Sequence, residues 1–277
     1  MTAKQKKRLG ETSSFALKVI LGALFVSPLI IGLLFSIQSD AELGTIPLKL
    51  FTDSPTLANY IGVFERVPLL AYIKNSAIVC VIAIAAQIIF SCMAAYGFVF
   101  FDFPGKNLLF TIVLSTMMIP GEVVIITNYK TAQALGVIDS YAGLVMTSLI
   151  SGTAIFMIRQ YFMTVPKDYK DAATIDGCGD MGFLFRVLLP ISVPTISSLA
   201  IYLFVQIYNQ FFWPLLVTSS TEMRTVQIGI SFLINADVLS FGRILAGAIV
   251  AIIPSTIIYI FGQDYIIKGM TSGGIKG

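Results

Sequence analysis

The sequence predicts an all-α, polytopic membrane protein of about six transmembrane helices. Three observations carry that expectation. Of 277 residues, 56% are apolar and only 12% charged, with a mean hydropathy of +0.87. Soluble domains carry about a quarter charged residues, so this chain lacks the polar surface to cover itself in water. Apolar runs recur at about 20 residues, the length a helix needs to cross a hydrocarbon core of about 30 Å. Lysine and arginine fall mainly on alternate sides of these runs, as in multi-pass proteins.

The runs are Ala16–Ile37, Asn75–Phe101, Leu108–Thr127, Tyr141–Tyr161, Ile191–Val217 and Ile244–Ile267. The first follows Lys4, Lys6, Lys7 and Arg8, as a secretory signal would. Its apolar part is too long and no small-residue cleavage site follows, so an uncleaved helix is expected. Residues 1–15 are then a cytoplasmic tail, residues 16–267 one membrane domain, and residues 268–277 a second cytoplasmic tail. With the N-terminus inside, the inner segments hold Lys4, Lys6, Lys7, Arg8, Lys18, Lys106, Arg159, Lys167, Lys170, Arg186, Lys268 and Lys276, 12 of the 18 basic residues. The other six are Lys49, Arg66, Lys74, Lys130, Arg224 and Arg243. The bias predicts both termini inside, and an even number of spans agrees. The segment Gln38–Lys74 is external on this topology and carries Pro47, Pro55 and Pro68.

Composition also excludes chemistry. Histidine is absent, which removes the usual general base, zinc ligand and partner of a nucleophilic Ser or Cys. Cys80, Cys92 and Cys178 show no metal-ligand spacing. A net charge of +3 makes no case for nucleic acid.

The loop 163–190 is the most informative segment. Pro166 suits the start of a helix. Asp168 and Asp171 place carboxylates in its first turns, where the helix dipole favours them. Gly177 and Gly179 end it, since glycine accepts left-handed angles cheaply. A second helix is expected from near Asp180 to Pro190, opening the fifth span. The product is a compact helix–turn–helix with Ala172, Ala173, Ile175, Phe183 and Leu184 turned toward a partner or the membrane domain. The same composition also describes an amphipathic loop resting on the bilayer.

The pattern Asp171-Ala172-Ala173, three residues, Gly177, nine residues, Val187-Leu188-Leu189-Pro190 resembles the coupling-loop motif of bacterial ATP-binding-cassette (ABC) importer permeases. That motif usually begins with Glu and has Ile near Val187; Asp171 shortens the carboxylate's reach by one methylene. The resemblance runs over most of the chain and is closest to the maltose-type carbohydrate uptake group. It includes Asn75-Ser76, Ala94-Ala95-Tyr96, Phe103-Pro104-Gly105-Lys106, Met117-Met118-Ile119-Pro120-Gly121, Arg159-Gln160-Tyr161-Phe162 and Asn209-Gln210-Phe211-Phe212-Trp213-Pro214. The tail Ile267-Lys268-Gly269-Met270-Thr271-Ser272-Gly273-Gly274 looks alike too. Glu122, Asn128-Tyr129 and Phe162-Met163-Thr164-Val165-Pro166 look more like the glycerol-3-phosphate branch.

The resemblance implies a bacterial inner-membrane permease working with a second permease subunit, two ATPase subunits and an extracytoplasmic solute-binding protein. It implies that Asp171, Ala172, Ala173, Asp176, Gly177, Leu189 and Pro190 transmit ATP hydrolysis to the spans. It also implies that Lys268, Gly269, Thr271 and Ser272 reach the ATPase subunits. The chain has no Gly-x-x-x-x-Gly-Lys-Ser/Thr phosphate loop. No cofactor is expected on it, and ATP and magnesium belong to the partners.

Polar residues inside the spans give candidate pathway positions. Tyr202, Gln206, Asn209 and Trp213 step by four, three and four, placing them on one helix face. Rings and amides suit a hydroxyl-rich solute, with Leu199 and Leu203 expected on the lipid side. Equally, Trp213 can anchor at the interface and the amides can bridge helices. Glu122 follows Pro120-Gly121; an intramembrane carboxylate is a candidate functional group, unless the third span ends near Pro120 and Glu122 lies at the outer interface. Gly242, Ala246, Gly247 and Ala251 have the small-residue spacing of helix packing. An ion-coupled transporter is the competing reading, but Glu122 stands without a second acidic residue and no repeat is evident. A scaffold or membrane enzyme is a third, and the missing histidine argues against the enzyme.

Overall fold

The computed structural model describes the backbone of residues 3–236 and 240–271, and the side chains of residues 13–234 and 240–265. No strand occurs among the described residues. The helices are α1 (Ala3–Ser36), α2 (Asp40–Leu43), α3 (Ala58–Arg66), α4 (Leu69–Phe100), α5 (Lys106–Thr116), α6 (Ile125–Ala134) and α7 (Tyr141–Val145). They continue with α8 (Gly152–Phe162), α9 (Asp168–Ile175), α10 (Asp180–Ile191), α11 (Val193–Tyr208), α12 (Phe212–Val217), α13 (Val226–Ala236) and α14 (Phe241–Thr271).

Three stretches are continuous helices long and apolar enough to cross a bilayer: Ser13–Ser36, Leu69–Phe100 and Phe241–Tyr265. Three further pairs reach that length only as bent units. Lys106–Thr116 meets Gly121–Ala134 at 87°, Tyr141–Ser148 meets Gly152–Phe162 at 50°, and Asp180–Ile191 meets Val193–Tyr208 at 76°. The total is up to six spans. The third, fourth and fifth runs, expected as continuous helices, are each interrupted.

The breaks have local causes. Pro120 lacks an N–H and Gly121 opens a 3-10 turn. Ser151 caps α8 by accepting the Ala154 N–H at 3.3 Å. Ser192 bends the chain between α10 and α11, and Pro194 cannot donate to the carbonyl a turn earlier. Gly152 abuts the end of α5: a Cβ there would lie 2.9 Å from Thr116 Oγ1 and 3.1 Å from the Val113 carbonyl. The break in the fourth span thus packs on the break in the third. Backbone freed inside a membrane must find partners within the protein, and Gln87 provides one. Buried in α4 at 4% exposure, it donates to the Ser148 carbonyl at 2.7 Å.

The chain divides into two compact units. The first comprises residues 1–69 and 229–253. There, buried Asn59 donates to the Ser36 and Gln38 carbonyls at 2.9 and 2.7 Å. Gly242 lies directly against Asn59, and a Cβ on Gly247 would sit 2.7 Å from Leu233 Cδ1. Ala246 and Ala251 are buried as well, so this small-residue stripe packs.

The second unit comprises residues 70–228 and 254–277. The start of α4 is latched to segment 218–226: Asn75 donates to the Glu222 and Arg224 carbonyls at 2.6 and 2.9 Å, and Ser76 Oγ accepts the Val226 N–H at 2.9 Å. Asp139 accepts the Ser219 and Ser220 N–H groups at 2.9 and 3.0 Å. Desolvation pushes its carboxyl up, but the Ser220 N–H and hydroxyl, the Ser219 N–H and the charge of Arg224 together outweigh that and hold it below the usual carboxylate range.

Candidate functional site: the helix–turn–helix loop and the α11 face

The loop forms because its sequence starts and stops a short helix sharply. Asp168 and Asp171 occupy the first turn of α9. At its end the Cys178 N–H reaches the Ala173 carbonyl at 2.8 Å and the Gly177 N–H reaches Thr174 at 3.0 Å. This nested pair is the Schellman arrangement, which needs a left-handed residue. Gly177 supplies it at φ 77°. Nothing lies within 4 Å of a Cβ built there, so a side chain would meet backbone strain and not a clash.

The two helices divide the apolar residues between them. Ala172 is exposed and Ile175 is 86% exposed, with half-exposed Tyr169 beside them. Asp168, Asp171 and Asp176 are exposed around this patch. Ala173, Phe183 and Leu184 point inward and are buried. The outward set is therefore Tyr169, Ala172 and Ile175, and the inward set fastens the loop to its own domain.

The fastening is an aromatic and ionic clamp at the end of α4. Phe183 packs against Phe100 with ring centres 5.4 Å apart, and Tyr96 lies 5.3 Å from Phe100. Lys170 reaches in from α9, forming an ion pair with Asp180 at 3.1 Å and donating to the Phe100 carbonyl at 3.3 Å. Its ammonium also lies 4.7 Å from the Phe101 ring centre, within cation–π range. Tyr96 donates its hydroxyl to the Asp180 carbonyl at 3.1 Å. The sequence reading missed Lys170 and Asp180 because their partners come from 70 to 84 residues away.

Helix α10 carries the loop into the membrane. It contains a π-helical stretch, Leu184–Leu188, then Leu189 and Pro190; such turns often mark functional positions. Leu188 is fully buried and Leu189 half-buried. The link to α11 is a 76° elbow at buried Ser192, whose hydroxyl donates to the Leu188 carbonyl at 2.5 Å. Tyr161 donates to the Ile191 carbonyl at 2.9 Å, so α8 also holds the elbow.

On α11, Tyr202 is 42% exposed and Gln206 and Asn209 share its exposed side. Trp213 does not belong to that face. Helix α11 ends at Tyr208 and α12 restarts at Phe212, so the four-residue step from Asn209 is broken. Trp213 turns inward at 7% exposure and donates to the Gly143 and Leu144 carbonyls at 3.1 and 3.2 Å. Leu199 and Leu203, expected to face lipid, are buried at 0% and 3%; the side of α11 opposite its amides packs on the domain. Gln227 joins the polar face instead, donating to Asn209 Oδ1 at 3.1 Å. Its distance in sequence hid it.

Glu122 is exposed in the 3-10 turn Gly121–Val124, beyond the 87° bend. It lies at the break and not inside a continuous helix. The side chains of Lys268 and Thr271, and all of Ser272, lie outside the described residues, and Gly269 is described by its helical backbone alone. No group of three metal-ligating side chains occurs among the described residues.

Comparison with known proteins agrees with this architecture. Residues 87–272 match the family described as binding-protein-dependent transport system inner membrane component. The arabinooligosaccharides transport system permease protein AraQ of Bacillus subtilis is 34% identical over 264 residues, covering 94% of this chain and 93% of the relative. The sn-glycerol-3-phosphate transport system permease protein UgpE of Brucella suis is 34% identical over 262 residues, covering 91% and 93%. Among solved structures, a chain of a bacterial ABC transporter involved in importing the acidic polysaccharide alginate superposes with a TM-score of 0.81 at 20% identity, covering 96% of this chain and 99% of that one.

Proposed function

The chain belongs to the binding-protein-dependent transport system inner membrane component family, and from that premise we propose that it is one permease subunit of an ABC importer. It forms half of a transmembrane pathway, beside a second permease subunit. A binding protein delivers solute from outside, and two cytoplasmic ATPase subunits bind and hydrolyse ATP. The chain itself is the non-catalytic transport component.

The observation that carries this reading is the construction of the loop. Its outer helix presents Tyr169, Ala172 and Ile175, its inner helix is clamped to α4, and a helical elbow joins it to α11. Small Ala172 lets α9 seat closely in a partner cleft. A push on α9 is passed to α11 through packed helix, with no flexible linker to absorb it.

Two solute classes follow from the relatives, a saccharide and a glycerol phosphate. The exposed face of α11 favours the saccharide. Tyr202, Gln206, Asn209 and neighbouring Gln227 offer neutral hydrogen-bonding groups and a ring, whereas a phosphate is best held by arginine or lysine.

The test is Gly177→Val. A β-branched side chain in the left-handed region costs about 1–2 kcal/mol, which distorts the end of α9 without unfolding the spans. The variant should reach the membrane, lose uptake, and either release its ATPase or let it hydrolyse ATP without import. Normal uptake, with ATPase stimulated normally by the loaded binding protein, would overturn the proposal.

A further inference from the structure

A cavity lies beside the clamp, and nothing in the transport role proposed for the chain uses it. It is about 250 Å³ in volume, several times the roughly 30 Å³ of a water molecule in the liquid. Its wall combines Lys106, Arg159 and Lys167 with aromatic Phe98 and Phe162. The three cations come from three elements: the start of α5, the last turn of α8 and the residue before α9.

Like charges do not gather without an opposing one. The carboxylate near them is Asp102, which pairs with Lys106 at 2.8 Å but is itself 98% exposed. Lys106 comes first and Lys167 contributes weakly in holding that carboxyl below its usual range. Lys106 also donates to the Phe101 carbonyl at 2.9 Å, so Arg159 and Lys167 are the cations of the wall without a close carboxylate among the ion pairs of the described residues. Arg159 is the most constrained of them. Its guanidinium lies 4.0 Å over the Phe110 ring centre, and its buried Nε has no hydrogen-bond partner. Arg159 is only partly buried and lines the cavity, where a guanidinium favours an oxygen acceptor.

We propose that this cavity holds the phosphate of an anionic phospholipid of the inner leaflet, with Arg159 and Lys167 as its main ligands. Phosphate oxygens would meet the Arg159 guanidinium and the Lys167 ammonium and neutralise the excess charge, since arginine binds phosphate through its N–H donors. Half-buried Phe98 and Val165 at the wall would meet the glycerol and the first acyl carbons. Basic pockets between helices on the cytoplasmic side suit lipid headgroups. The inference rests on the inner-face placement of the loop proposed above. A phosphate seated against Lys167 would brace the start of α9, placing the coupling loop under the influence of membrane composition.

The test is native mass spectrometry of the purified importer complex, exchanged into micelles containing phosphatidylglycerol and phosphatidylcholine in equal amounts. The unaltered complex should retain phosphatidylglycerol preferentially, and tens of millimolar inorganic phosphate should not displace it. Arg159→Gln with Lys167→Gln should lower that preference by about 25-fold, at about fivefold per lost cation. A control that removes two exposed charges elsewhere, Lys74→Gln with Lys130→Gln, should leave it unchanged. If the double variant fails to assemble, exposed Lys167→Gln alone should give about a fivefold loss. Equal retention of the two lipids by the unaltered complex would overturn the proposal, as would an unchanged preference in the variants. Displacement by inorganic phosphate would assign the cavity to a free anion and overturn the lipid assignment. A complex that couples ATP hydrolysis to uptake normally but shows no headgroup preference would refute this inference alone and leave the importer reading intact.

Discussion

Gln87 and Trp213 show how a polar side chain inside a membrane span can serve the backbone. Each donates to carbonyls of the broken fourth span: Gln87 to Ser148, Trp213 to Gly143 and Leu144. Removing the donor leaves a buried carbonyl unsatisfied, at about 1–3 kcal/mol. Gln87→Leu and Trp213→Phe should therefore lower the thermal midpoint of the purified protein by several degrees, while the apparent affinity for solute in uptake stays the same. A changed affinity with unchanged stability in Trp213→Phe would return that residue to the pathway. Asn209 and Gln227 make the contrasting case, since their amides pair at 3.1 Å on an exposed side. If that pair touches solute, Asn209→Ala and Gln227→Ala should each raise the half-saturating concentration for uptake, and the double variant should cost less than the two effects combined. Wild-type half-saturation in both single variants would remove the face from the pathway. The amides of Gln206 and Asn209 were legible from helical spacing alone. Trp213 was misplaced by the same rule, because the spacing assumes an unbroken helix and α11 stops at Tyr208.

At the scale of elements, the loop was the most legible part of the molecule. Its punctuation is local: Asp168 and Asp171 begin α9, and Gly177 with φ 77° ends it. The clamp that holds the loop was not legible, since Lys170 and Asp180 find Tyr96 and Phe100 only after α4 has folded beside them. On the proposed function, their contribution would be to make the loop move as one body. Lys170→Ala removes an ion pair, a hydrogen bond to Phe100 and a cation–π contact together. The side chain is about three-quarters buried, so the aromatic cluster should still hold α10 while α9 loosens. The expected outcome is ATP hydrolysis with uptake reduced several-fold and wild-type abundance in the membrane. Arginine at that position keeps the charge and should restore part of the coupling. Equal uptake in Lys170→Ala and the parent protein would show that the aromatic contacts suffice. The three broken spans teach a related point. Hydropathy registers how many apolar residues follow one another, and it is blind to a bend of 50° to 87° placed by one serine or proline within the run.

At the scale of the whole molecule, α4 acts as a ruler. From Asn75 to Tyr96 it rises roughly 30 Å at 1.5 Å per residue, the thickness of the hydrocarbon core. Asn75 and Ser76 hold the segment 218–226 at one end, and Tyr96 and Phe100 hold the helix–turn–helix loop at the other. The two fastenings are thus separated by about the thickness of that core. On the topology proposed from the lysine and arginine bias, the loop end faces the cytoplasm, where an ATPase would reach Tyr169, Ala172 and Ile175. A native thiol reports on this assignment. Cys80 and Cys92 are buried, whereas Cys178 is partly exposed in the turn after Gly177. In intact cells a membrane-impermeant maleimide should leave Cys178 unlabelled. It should label Thr45→Cys in the exposed segment after α2. In inside-out vesicles stripped of ATPase the pattern should reverse, and adding the ATPase back should slow labelling of Cys178, because α9 and the turn that follows it would then lie in the docked cleft. Labelling of Cys178 in intact cells, with Thr45→Cys protected, would invert the topology and with it the direction from which the loop is driven.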